Sequence, residues 1–168
     1  MGQLKTIKVF ILGNVANPGG YNISSMSTIF NALFMAGGPT KKGSMRNIKL
    51  RRKNKIVKTI DLYEYLLNGD INQDPQLKAY DTIIIPPIGN VVKLSGSVKN
   101  EAIFEVLPNT SLHFLINKIG QGYQADADKM YLTLNRIENE KRVTKTINNL
   151  SKKNLLNRQI TIIKQNEV

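Results

Sequence analysis

The chain has 168 residues, 41% hydrophobic and 21% charged, with 24 Lys and Arg against 12 Asp and Glu, a formal net charge of +12. That balance is ordinary for a globular protein and excludes wholesale disorder. No apolar run of about 18 residues exists to cross a membrane as a helix, and the lack of cysteine excludes disulfides, thiolate metal sites and a cysteine nucleophile.

The basic excess points to an anionic partner such as nucleic acid, an acidic glycan or lipid headgroups. The favoured reading is blander: a fragment parted from acidic neighbours, or a general bias, which the abundance of Lys and Asn supports. No secretory signal stands at the N-terminus. Met1-Gly2 reads as an artificial start, so the natural chain is expected to be longer.

In chain order, Val9 to Gly13 is an apolar strand with so little polar character that burial on both faces is expected. Asn17, Pro18, Gly19 and Gly20 supply turn chemistry, with proline fixing φ and glycine accepting positive φ. Tyr21 to Ile23 returns as a second strand. Ser24, Ser25 and Ser27 are candidate caps for a helix whose apolar positions are Ile29, Leu33 and Ala36, and Gly37-Gly38-Pro39 stops it. Ile48 and Leu50 begin a strand, Lys53-Asn54-Lys55 turns, and Ile56 to Leu62 pairs back. A short helix over Leu62 to Leu67 precedes Asn68-Gly69-Asp70. Tyr80 to Ile85 is a last strand, ended by Pro86-Pro87.

The chain then repeats itself. At an offset of 83, Gly13 meets Gly96, Val15 meets Val98, Asn17 meets Asn100 and Gly37 meets Gly120. Tyr21 falls on Phe104, Ile23 on Val106, Ile29 on Leu112 and Leu33 on Ile116. The second copy predicts strands at Val92 to Val106, a helix from Asn109–Ser111 to Gly120, and strands at Met130 to Ile137 and Val143 to Ile147 around a turn at Glu138 to Lys141. Strand, strand, helix, strand, strand, short helix, strand is the order of a β-grasp, a helix laid across a small mixed sheet. The expected fold is α+β: two tandem β-grasp, ubiquitin-like domains over residues 5–88 and 89–168.

The segments GNVANPGGYNI, AGGPT, NIKLRR, IDLYEYLLNGD and YDTIIIPP resemble the soluble-ligand-binding β-grasp (SLBB) domain. Their tandem arrangement is similar to that of the Wza-type outer-membrane polysaccharide export family. The second copy diverges at its end, where LLNRQITIIK stands in place of LKAYDTIIIP. What the resemblance implies is a periplasmic fragment of a ring-forming, commonly octameric homo-oligomer that passes capsule or exopolysaccharide. An inner-membrane polysaccharide co-polymerase is an implied partner. The family's N-terminal export domain and lipidated cysteine have no counterpart in the sequence.

Chemical motifs are sparse. A strand follows Gly20 where a phosphate loop needs a helix, and no Gly-Lys-Ser/Thr is present. His113 is the sole histidine, and no cluster has metal-ligand spacing. Asp126 and Asp128 read as a solvated loop, and Asp70, Asp74 and Asp81 as capping acids. No catalytic, metal or cofactor site is expected, and none of the chemistry of an enzyme.

The candidate binding residues lie in a basic run. Lys41 and Lys42 precede a hairpin on which alternation sends Lys49, Arg51 and Lys53 away from Ile48 and Leu50. These five cations fit an acidic polysaccharide, while a merely solvated hairpin protected from edge pairing fits them too. A stand-alone glycan-binding module is the alternative to an export module. Nucleic acid is disfavoured, since the hairpin interleaves no aromatics and no recognition helix appears.

Overall fold

The computed structural model describes residues 5–125, 131–138 and 141–148. The chain divides into two compact units between Ile88 and Gly89.

The first unit is built on strands β1 (Thr6–Gly13), β2 (Gly19–Ser24), β3 (Ile48–Arg52), β4 (Lys55–Ile60) and β5 (Thr82–Ile85), with helices α1 (Ile29–Met35) and α2 (Leu62–Asn68). The sheet order is β2-β1-β5-β3-β4. Only β1 and β5 run parallel; every other neighbour is antiparallel. This is the mixed sheet of a β-grasp, and the α+β class is as expected. Period-two alternation sends Val9, Ile11, Ile23, Ile48, Leu50, Ile60, Ile83 and Ile85 to one face, where α1 buries Ile29, Ala32 and Leu33 against them.

Local chemistry sets the helix ends. Thr28, not the expected Ser24, Ser25 or Ser27, caps α1, because the helix starts at Ile29 and only Thr28 can form a reciprocal capping box with Asn31. Asp74, 44 residues away, adds a second cap by accepting from the Phe30 N–H at 2.7 Å. Asp61 caps α2, which ends at Gly69 in the left-handed region (φ 67°).

Expectations for β1, its turn and β5 change as well. β1 is buried on one face only: Phe10 is half-buried and Leu12 is 44% exposed. The Asn17-Pro18 bend is a longer excursion than a tight hairpin, because β1 runs past the end of β2 to pair Gly13 with Ile85 of β5. Gly19 and Gly20 therefore lie in β2, and the chain reverses from Gly13 (φ 92°), where a Cβ would overlap the Ile85 carbonyl. Finally, β5 begins at Thr82, since Lys78 to Asp81 forms a turn with Tyr80 at φ 65°.

The second unit has β6 (Val91–Leu94) paired with β7 (Ala102–Glu105) and β8 (Tyr131–Glu138) paired with β9 (Lys141–Asn148). Its helix is α3 (Leu112–Phe114), capped by Ser111 and continued as a π-type turn over Leu115–Ile119. The helix widens there because the Gly120 N–H reaches back five residues to the Leu115 carbonyl at 2.7 Å. Leu94, Val98, Val106, Leu112, Leu115, Ile116 and Ile119 form its core. The segment LLNRQITIIK and the pair Asp126 and Asp128 lie outside the described residues.

Candidate functional site

The turn residues come first, because they hold the helix to the sheet. The Asn17 backbone N–H and side-chain Nδ2 both donate to the Ala36 carbonyl, at 3.0 and 3.3 Å. Ala16 N–H donates to Gly38 at 3.0 Å, and the Tyr21 hydroxyl donates to the Asn17 carbonyl at 2.5 Å. The two bonds from Asn17 satisfy the Ala36 carbonyl that the end of α1 leaves open, and the other two brace the turn around it. The second unit has the same latch: Asn100 Nδ2 donates to Ile119 at 3.3 Å and its backbone N–H to Gly120 at 3.1 Å. Gly96 repeats the positive φ of Gly13, at 102°. Asn17 and its counterpart thus fasten each helix end to its turn; Pro18 is exposed beside Asn17.

The basic run separates into three groups. Two of its arginines are held internally. Arg46 pairs with Asp61 at 2.9 Å and lies over the Tyr63 ring at 4.2 Å. Arg52 grips the fully buried Asp81 with two bonds of 2.7 and 2.6 Å, while Asp81 also accepts from the Lys78 N–H at 2.8 Å. That fork raises the Arg52 pKa above its ordinary value.

Lys49 and Arg51 make the second group. They stand on the open face of the sheet, opposite Ile48 and Leu50, with Lys49 half-buried and Arg51 exposed. Lys49 is the register partner of Ile84 and Thr59, and Arg51 that of Thr82 and Ile56. Lys41, Lys42 and Lys53 are the third group, exposed in loops. Lys53 does not continue the strand face. With Asn54 it forms a two-residue turn at positive φ (47° and 62°), so it sits at the hairpin tip.

The sheet brings in residues that the basic run alone does not reveal. Along one row the register partners are Gly20, Phe10, Thr82, Arg51 and Ile56. Phe10 covers the space left open at Gly20, and the Lys8 ammonium lies 5.8 Å from the Phe10 ring centroid. Phe10 and Arg51 are two strands apart, about 10 Å. The open face thus carries Lys8, Lys49 and Arg51 around Phe10, Leu12 and Ile84, and no acidic residue projects from its strands on that side. Among the described residues no acid pairs with any of these three cations. Chemically, the face is an apolar floor with an aromatic ring, flanked by cations free to meet anionic groups.

Comparison with known proteins agrees with this fold. The SLBB domain family matches residues 8–61. Two curated relatives, both described as polysialic acid transport protein KpsD of Escherichia coli, are 35% identical over 104 residues. That match takes in 61% of this chain and 18% of each relative's length.

Proposed function

Because the chain carries an SLBB domain and belongs with the SLBB polysaccharide export proteins, we propose that it is a periplasmic module of an outer-membrane exporter and that its first unit contacts an acidic polysaccharide through the open sheet face. The observation that carries this reading is the set of Lys8, Lys49 and Arg51 around Phe10, without an opposing acid. A sugar ring has one apolar face suited to stacking on Phe10, and carboxylates along an acidic glycan would meet the cations. Lys41, Lys42 and Lys53 extend the basic field around that face.

The second unit is read as a second, divergent SLBB domain, supported by its matching Asn100 latch. We read the whole protein as a ring-forming homo-oligomer working beside an inner-membrane co-polymerase; kinship with the export family supports that part. The role is non-catalytic, consisting of contact and assembly.

The test is titration of the chain with polysialic acid oligomers and with a neutral glucan. Saturable binding of the acidic glycan should weaken at least about tenfold when Lys8, Lys49 and Arg51 become Ser. Serine at Lys41, Lys42 and Lys53 should cost about threefold or less, as expected of long-range attraction. Single-stranded DNA serves as a control for charge alone, whose retention collapses with salt. Equal affinity of the sheet-face variant and the parent would sink the reading.

A further inference from the structure

The helix side of the first unit differs in chemistry from the sheet side. Phe34 is 79% exposed, Ile71 77%, Met26 71%, Met35 53% and Leu66 52%. Between α1 and α2 runs a groove of about 260 Å³ whose walls include Phe30, Leu33, Phe34, Met45, Leu62 and Leu66. The second unit serves as an internal control. Where the core needs apolar residues both units have them, as at Ile29 and Leu112 or Leu33 and Ile116. At the outward positions Met26, Phe34 and Met35, the second unit has Asn109, Asn117 and Lys118. Packing within the unit therefore does not require apolar side chains there, and exposed Phe34 and Leu66 along an apolar groove mark a contact surface.

Charge identifies the occupant. The segments forming this face, residues 25–40 and 61–77, contain no Lys or Arg and four acids; Asp61 is paired with Arg46 and Asp74 caps α1, which leaves Glu64 and Asp70 for a partner. The β3–β4 hairpin, residues 49–58, contains six cations and no acid. Arg52 is held by Asp81, Lys58 donates to the Asn72 carbonyl, and Lys49 and Arg51 lie on the sheet face, so the tip offers Lys53 and Lys55 beside exposed Ile56 (53%) and Val57 (50%). We propose that the apolar helix face of one copy receives the β3–β4 hairpin of a second copy of this chain. The proposal rests on the homo-oligomer reading above and names its surfaces.

The hairpin enters from the α2 side, where Glu64 and Asp70 stand, and away from Pro39, which Lys41 and Lys42 follow. Apposing two helix faces would instead crowd Glu64, Asp70 and Asp74 against their own copies. Two different patches in contact make a heterologous interface, which propagates until it closes as a ring or runs on as a filament. The contact uses the hairpin tip from Lys53 to Val57 and leaves out Lys49 and Arg51 on the sheet behind it, so with Lys8 and Phe10 they keep the glycan face open.

Sedimentation velocity on the full chain tests this with Phe34→Asp and Val57→Asp. Both replaced side chains are largely exposed, and circular dichroism checks that each variant is folded. The parent should associate with rising concentration, and each variant alone should weaken that association at least about tenfold. An equimolar mixture should form a 1:1 dimer and nothing larger, because each variant retains one intact half of the contact. A parent that stays monomeric at about 1 mM, the weak limit of specific association, overturns the proposal. So does a mixture that stays monomeric. Polysialic acid titration of the same variants separates the two readings: monomeric variants that still bind glycan leave the sheet-face function standing, and an assembling parent that binds none refutes only that function.

Discussion

Replacing Arg52 by Met should be among the most damaging single changes in the first unit. Its partner Asp81 is fully buried and accepts three hydrogen bonds, two of them from Arg52. Removing the guanidinium leaves a carboxylate in the interior with only the Lys78 N–H. Breaking a buried pair from one side costs about 3–5 kcal/mol. The Arg52 side chain is 27% exposed, so some water already reaches the pair, and the low end of that range, about 3 kcal/mol, applies. For a unit of this size that lowers the melting temperature on the order of 15 °C.

The reverse change, Asp81→Asn, should cost less, because Arg52 can swing its head to solvent and the new amide oxygen still accepts from the Lys78 N–H. The decisive comparison is the double variant. If the penalty is an uncompensated buried charge, Arg52→Met with Asp81→Asn should be more stable than Arg52→Met alone. Urea and thermal unfolding of the four proteins give this cycle directly. Additive losses would show instead that no buried charge is left uncompensated and reduce the pair to ordinary packing.

Two further outcomes follow from the latch and the caps. Asn17→Ala removes the side-chain bond to Ala36 but keeps the backbone one, so it should cost about 1 kcal/mol in unfolding of the first unit, and Asn100→Ala should cost the second unit a similar amount. Asp70 is held below the usual carboxylate range chiefly by the Asn72 backbone N–H, then by the Gln73 side chain. A depressed folded pKa stabilises above the unfolded value and loses that stabilisation as pH falls through the folded one. The stability gap between the parent and Asp70→Ala should therefore be widest near neutrality and shrink in acid; a gap independent of pH would contradict this.

Much of the fold was legible because it follows from periodicity and punctuation. Ile48 and Leu50 alternate with Lys49 and Arg51, and Gly37-Gly38-Pro39 stops α1 where expected. The offset of 83 also located the Asn100 latch, since its glycine and asparagine neighbours are tied to backbone geometry. What escaped sequence reading depends on contacts distant in the chain. An apolar strand reads alike whether one face or both are covered, so the openness of Phe10 and Leu12 emerged only from the sheet order. For the same reason the basic hairpin gave no sign of Lys8, which lies two strands away from β3 across the face. Arg52 sits in the same run as Arg51, yet only the fold shows that one is committed to Asp81 and the other is free. Lys53 left the strand face because a two-residue turn takes positive φ, and alternation ends where the strand does.

The function proposed for the first unit turns on an acidic polysaccharide binding the open sheet face. The most direct test is to map amide shifts by NMR while titrating the chain with polysialic acid oligomers. Saturable shifts should run along β1, β5 and β3, centred on Phe10, Thr82 and Arg51, and vanish when Lys8, Lys49 and Arg51 become Ser. Shifts confined to the loop at Lys41 and Lys42, or shifts that survive the sheet-face replacements, would contradict binding at that face.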